Sequence, residues 1–156
     1  MKLPNFLIVG AAKAGTTSLF YYLKQHPEIF MPEEKELKFF EYLIIKNKLH
    51  YTGPGDNKSL KRVVKTWDEY KNYFKKAKNF KAVGEASVSY LYYTETIKNI
   101  KKYLGENINI IIILRNPIER LISNYKYMVM RGREKEDLKK ALELEEYRKN
   151  QGFYRL

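Results

Sequence analysis

The 156-residue sequence contains no cysteine. Disulfides and thiolate metal sites are thereby excluded, and the redox compartment is left undetermined. Long hydrophobic runs are missing too. Met1-Lys2-Leu3-Pro4-Asn5 leads straight into an apolar run too short for the core of a secretory signal, and no later stretch reaches transmembrane length. A soluble, cytoplasmic protein is the expectation. Acidic residues are scarce beside basic ones: 18 Asp and Glu against 30 Lys and Arg give a formal net charge of +12. Residues 58–81 alone hold nine Lys or Arg and two acids. That balance suits a polyanionic partner such as nucleic acid, acidic polysaccharide or a multiply charged nucleotide; it equally suits a solvated lysine-rich surface.

What is present suffices for one domain over residues 1–156, with 44% hydrophobic and 15% aromatic residues to build a core. Leu3–Val9 reads as a buried strand and Thr16–Gln25 as a helix, ended by His26-Pro27. Glu28–Met31 is a short second strand. Tyr42–Leu60 carries the turn residues Gly53-Pro54-Gly55-Asp56-Asn57 and reads as a loop. Thr66 is expected to cap a helix reaching about Lys78, with Asp68 and Glu69 in its first turn. Phe80–Val83 is a third strand, which Gly84-Glu85-Ala86-Ser87 leaves. Tyr90–Leu104 has helical spacing. Asn107–Leu114, with five isoleucines, suits a central strand covered on both faces. Asn116-Pro117 opens a helix, and Asp137–Lys149 forms another. Strands alternating with helices imply an α/β fold with a mainly parallel sheet, ligands collecting at the carboxyl ends of its strands.

One stretch draws attention first. Leu7-Ile-Val-Gly-Ala-Ala-Lys-Ala-Gly-Thr-Thr-Ser-Leu19 is strand, tight turn of small residues, then helix start. Backbone N–H groups converge there and the helix dipole favours an anion, so the segment is a candidate phosphate cradle. Against the nucleotidase pattern G-x-x-x-x-G-K-S/T, Gly10 and Gly15 have the right spacing. The lysine is displaced to position 13, and Thr16 stands in its place. No clear aspartate follows the later apolar strands to hold a metal, so a metal-dependent triphosphatase is disfavoured.

Gly10 to Leu19 resembles the 5′-phosphosulfate loop of sulfotransferases, which use 3′-phosphoadenosine-5′-phosphosulfate (PAPS) on a three-layer P-loop-like fold without a metal. The resemblance implies that Lys13 meets the bridging and sulfuryl oxygens, with Ala14, Gly15, Thr16, Thr17 and Ser18 around the 5′-phosphate. The family also places an arginine at a strand end and a serine some eight residues on, for the 3′-phosphate. Arg115-Asn-Pro-Ile-Glu-Arg-Leu-Ile-Ser123-Asn-Tyr125 is similar, and implies Arg115 and Ser123 in that role. Singly, these residues fit an ordinary exposed lysine, a helix-start charge and a neutral helix serine; jointly, in this order, they fit the donor site.

A base is still needed to take the acceptor's proton. Lys35-Glu36-Leu37-Lys38-Phe39-Phe40 resembles the acid-x-basic-Phe-Phe segment of sugar-modifying sulfotransferases, where the glutamate is the proposed base; Glu36 is the match, and Lys38 a helper. A surface charge run explains Glu36 as well. His26 is read as part of the helix exit and His50 as a loop residue. Gly84-Glu85-Ala86-Ser87-Val88-Ser89-Tyr90 resembles a third family segment and, leaving a strand end, is expected to line the acceptor cleft, though packing and capping account equally for Ser87 and Tyr90. Gly152-Phe153-Tyr154 resembles a segment that in relatives precedes a further strand and helices. A chain lacking them is expected to expose a sheet edge, and so to be marginally stable, to self-associate through that edge, or to take the missing part from a partner. The implied function is sulfuryl transfer from PAPS to a hydroxyl or amine of a small-molecule or glycan acceptor, nucleic acid being disfavoured. The alternative is a non-catalytic nucleotide- or polyanion-binding relative.

Overall fold

The computed structural model describes residues 1–46 and 63–150, with side chains to residue 148. The turn at Gly53–Asn57, His50 and the Gly152–Tyr154 segment lie outside the described residues. The chain forms two compact units, one of residues 1–46 and 63–114, the other including residues from 115 onward.

In the first unit, β1 (Phe6–Gly10), β2 (Ile29–Phe30), β3 (Ala82–Ala86) and β4 (Asn109–Ile112) make one parallel sheet in the order β2-β3-β1-β4. The pleat of β1 sends alternate side chains to opposite faces. Leu7 and Val9 join Phe39, Phe40, Tyr70, Phe74, Tyr90 and Ile100 on one face. These come from α2 (Phe39–Ile45), α3 (Trp67–Asn72), α4 (Thr96–Leu104) and their flanking turns. Phe6 and Ile8 meet Phe20 of α1 (Thr16–Lys24), Met31 and Ala86 on the other. Helices thus cover both faces of the sheet, the three-layer α/β arrangement expected from the alternation of elements. Much of the aromatic content is spent on one cluster, where the Phe39 ring lies 5.2 Å from both Phe40 and Tyr70 and 5.3 Å from Tyr103.

Several elements depart from their expected bounds. β3 starts later and runs to Ala86, so Gly84, Glu85 and Ala86 are strand residues paired with Phe6, Leu7 and Ile8. Gly84 is there because a Cβ would lie 2.2 Å from the Phe6 ring and 2.5 Å from Met31 Sδ. β4 is an edge strand among the described residues, not a central one, with Ile110 46% and Ile112 48% exposed. An unbroken apolar run records burial potential, but not how many neighbours the strand has. α3 stops at Asn72, because Tyr73, Phe74 and Ala77 donate three residues back and tighten the chain into turns. Its cap is as expected: Thr66 Oγ1 accepts from Glu69 N–H, and Glu69 Oε2 accepts from Thr66 N–H. Residues 88–91 form a 3₁₀ turn and α4 begins at Thr96, whose hydroxyl donates to Tyr93 O at 2.6 Å. α2 takes residues 42–45 from what reads as loop. His26 belongs to the exit of α1, its Nδ1 accepting from Glu28 N–H at 3.2 Å.

In the second unit, α5 (Pro117–Met130) opens as expected, with Asn116 Oδ1 accepting from Ile118 and Glu119 N–H at 3.0 and 3.3 Å. The helix expected over 137–149 is two, α6 (Leu138–Glu143) and α7 (Glu145–Asn150). The chain turns at Leu144, and Arg148 pairs in bidentate fashion with the buried carboxylate of Glu134.

Candidate active site

The loop from β1 to α1 hangs on the sheet at its first residues. Ala11 N–H donates to Ile113 O, and Ile113 N–H to Gly10 O, both at 2.8 Å. Lys13 (φ 63°) and Gly15 (φ 98°) are left-handed, which curls the chain tightly enough to begin α1 at Thr16. α1 has no acidic residue in its first turn and no side chain capping it. Its leading N–H groups therefore face outward with the positive end of the helix dipole, beside a loop lysine. Lys13 and Ala14 are half-buried, Thr16 is buried, and Gly15, Thr17 and Ser18 are exposed. A Cβ at Gly15 would meet nothing within 4 Å, so the mouth of the loop is open. An anion fits this chemistry.

Glu36 lies in a turn of unusual backbone. It and Lys38 are both left-handed, at φ 66° and 57°, each costing about 1–3 kcal/mol for a residue with a side chain. Packing supplies part of the compensation. Leu37, Phe39 and Phe40 are each no more than 2% exposed, so the Phe-Phe pair anchors the turn in the core. Hydrogen bonds supply the rest. Glu36 N–H donates to Ala86 O at 2.8 Å, and Lys38 N–H to Ser87 Oγ at 3.0 Å. The Glu36 side chain is 28% exposed, with Lys35 Nζ 2.6 Å from one carboxylate oxygen and Val88 N–H donating to the other at 3.2 Å.

The segment after β3 thus holds the Glu36 turn, and it also abuts the start of the loop: a Cβ at Gly10 would fall 2.8 Å from Leu91 and 3.3 Å from Val88 O. β1 and β3 are parallel neighbours, so both loops leave the same, carboxyl, end of the sheet. Lys13, Ala14, Gly15, Thr16, Thr17, Ser18 and Glu36 are brought to this end, within one unit.

Two further carboxyls were not singled out by residue from the sequence. Glu85 is fully buried, and its Oε1 accepts from Ser87 Oγ at 2.5 Å. Burial pushes its carboxyl up to about 8; the Ser87 hydroxyl acts against that shift and the Glu36 charge adds to it. The hydroxyls of Tyr70 and Tyr90 interact electrostatically with Glu85 but miss hydrogen-bond geometry, and burial raises both well above the ordinary tyrosine value. Glu41, 6% exposed, accepts from the Ser89 hydroxyl and lies 3.9 Å from Lys38 Nζ. The sequence signal for both was the serine spacing, Ser87-x-Ser89, leaving a strand end.

Arg115 and Ser123 belong to the second unit. Arg115 is three residues past β4, exposed, with Nε donating to Glu119 at 3.1 Å; Ser123 is half-buried on α5. Among the described residues no group of three or more His, Asp or Glu side chains is gathered to hold a metal ion.

Comparison with known proteins adds to this geometry. The profile described as "Sulfotransferase family" matches residues 4–155. The chain is 32% identical over 127 residues to the membrane-associated sulfotransferase kil1 of Dictyostelium discoideum, a match covering 81% of this chain and 23% of that protein. It is 28% identical over 133 residues to the bifunctional heparan sulfate N-deacetylase/N-sulfotransferase 2 of Bos taurus, covering 84% and 14%. Among solved structures, a sulfotransferase from Alicyclobacillus acidocaldarius superposes with a TM-score of 0.89 at 40% identity, over 99% of this chain and 61% of that one. The chain therefore spans under a quarter of the length of these curated relatives.

Proposed function

The chain belongs to the sulfotransferase family, and from that membership we propose that it transfers a sulfuryl group from PAPS to a hydroxyl or amine, most simply of a carbohydrate. One observation carries the reading: a lysine-bearing, acid-free helix start and a pinned carboxylate leave the same end of one sheet. A curated relative named for heparan sulfate N-sulfation supports a glycan acceptor.

The residues divide the work. The Thr16–Ser18 amides and the α1 dipole take up negative charge, and Thr17 and Ser18 offer exposed hydroxyls beside them. Lys13 places a cation in the loop, where it offsets charge that develops on a leaving group. PAPS, when bound, supplies a sulfuryl group activated by its phosphate leaving group. Glu36 receives the acceptor's proton: each carboxylate oxygen has one fixed donor, Lys35 or Val88, and keeps a second lone pair for the incoming proton. Arg115, a donor-rich fork, and Ser123 take the 3′-phosphate in this proposal. The cytoplasmic setting expected from composition belongs to the same proposal, and no helix among the described residues is long and apolar enough to cross a membrane.

Transfer of radiolabelled sulfate from PAPS to a glycan panel tests the reading. Wild-type chain should label at least one acceptor, with kcat lowered about 10²-fold or more by Lys13→Ala and by Glu36→Gln. Calorimetry with 3′,5′-adenosine bisphosphate should show binding that Arg115→Ala weakens. Nucleotide binding without transfer to any acceptor would reduce the chain to a binding relative. Salt-sensitive heparin binding with no nucleotide preference would point to its basic surface alone.

A further inference from the structure

Four consecutive residues at and after the end of β3 each engage the segment that carries Glu36. Ala86 O accepts from Glu36 N–H, Ser87 Oγ accepts from Lys38 N–H, Val88 N–H donates to Glu36 Oε2, and Ser89 Oγ donates to Glu41. Of those that reach Glu36 and Lys38, the Ser87 contact alone depends on the direction of a rotatable hydroxyl. A serine hydroxyl has one proton to give. Here Glu85 Oε1 takes it at 2.5 Å, so the oxygen turns its lone pairs toward the Lys38 amide at 3.0 Å. Ser87 is wholly buried and its own N–H is fixed to Ile8 O at 3.2 Å, so the hydroxyl is held on a backbone that the β1–β3 ladder keeps still.

We propose that Glu85, acting through Ser87, is a positioning residue for Glu36: it commits the Ser87 proton and thereby locks the left-handed Glu36–Lys38 turn that aims the carboxylate. Glu85 touches neither substrate nor reacting atoms and exchanges no proton with them. The charged and titratable groups around it are Glu36 and Lys35 from the turn, Tyr70 from α3 and Tyr90 from the 3₁₀ turn. That Glu36 is the base rests on the proposed function; the lock on its turn does not.

The experiment has two readouts on the full chain. In amide hydrogen exchange, Glu85→Ala and Ser87→Ala should each speed exchange at Glu36 and Lys38 by about tenfold or more, with the β1 amides of Leu7 and Ile8 unchanged. Glu85→Gln, which keeps an oxygen for the Ser87 hydroxyl, should restore wild-type exchange. In turnover, Ser87→Ala should lower kcat about tenfold with little change in the KM for PAPS, and should cost nothing further in a Glu36→Gln background. Wild-type exchange at Glu36 in both alanine variants overturns the lock. A kcat loss from Ser87→Ala that is equal in the wild-type and Glu36→Gln backgrounds overturns the path through Glu36. A wild-type chain that labels no acceptor removes the proposed function alone, because the exchange readout still decides the lock.

Discussion

At the scale of single residues, the family-like positions were legible in the sequence while their surroundings were not. Lys13 was visible because a lysine inside a glycine-bounded turn is out of place for a nucleotidase, and the structure sets it in a left-handed bend beside an uncapped helix. Glu36 was visible only by resemblance; nothing in its neighbours' spacing announces two left-handed residues that only packing and β3 make tolerable. Glu85 reads only as one member of the family-like segment Gly84–Tyr90, with nothing in the sequence to announce that it is fully buried. Its protonation has a consequence for stability. The folded state keeps the proton up to about pH 8, whereas the unfolded carboxyl loses it near the ordinary glutamate value. Between those limits the native state binds more protons, so stability falls as pH rises. Glu85→Gln mimics the protonated acid and escapes that loss. Thermal unfolding should find variant and wild type similar near pH 4.5, with the variant pulling ahead by a few kcal/mol by pH 8 and the gap flat above it. A gap that does not change with pH would contradict the buried acid.

At the scale of elements, local chemistry forecast the starts of helices where a capping signal stood, though not that of α4, which begins at Thr96 and not Tyr90. Thr66 with Glu69, and Asn116 with Pro117, are signals within four residues, and both appear as caps. The ends depend on contacts from elsewhere. α3 gives way to tighter turns at Tyr73 while the Phe74 ring packs into the core, and the expected helix at 137–149 breaks at Leu144, after which Arg148 of α7 reaches Glu134. Thr66→Ala removes one half of a reciprocal cap and should cost about 1 kcal/mol by denaturant titration, with the m-value unchanged. A loss below about 0.3 kcal/mol would mean that packing of Trp67 and Tyr70, not the cap, sets the start of α3.

At the scale of the whole molecule, alternation of strand and helix was enough to read the fold class, because each element's apolar pattern states which kind of layer it can join. Strand order was not readable. β4, whose run of isoleucines suits a central strand, sits at the described edge, with Ile110, Ile112 and Leu114 exposed. Self-association through that edge, expected from the sequence, has a definite test. Sedimentation should show mass rising with protein concentration for wild type, and a weaker rise for Ile112→Lys, a charge of the kind that blunts natural edges. Concentration-independent monomer for both would dismiss it. With a net charge of +12, the same measurement at several salt concentrations separates apolar association, which salt strengthens, from counterion effects.

The pairing of β1 with β3 reaches beyond the sheet. Leu7 opposite Glu85 and Ile8 opposite Ala86 set the height at which residues 86–89 emerge, and those residues set the Glu36 turn. The ladder is thus a ruler for the chemistry. A slip of one residue would exchange the faces of Glu85 and Ala86, driving the carboxyl side chain toward the apolar layer of Phe20 and Met31, while presenting Val88 where Ser87 now accepts an amide. Misfolded chains with the sheet one step out of register would have no weakened version of the site; they would have none. If the chain has the proposed activity, turnover per molecule counts correctly paired sheets, and activity becomes a quality gauge for its folding.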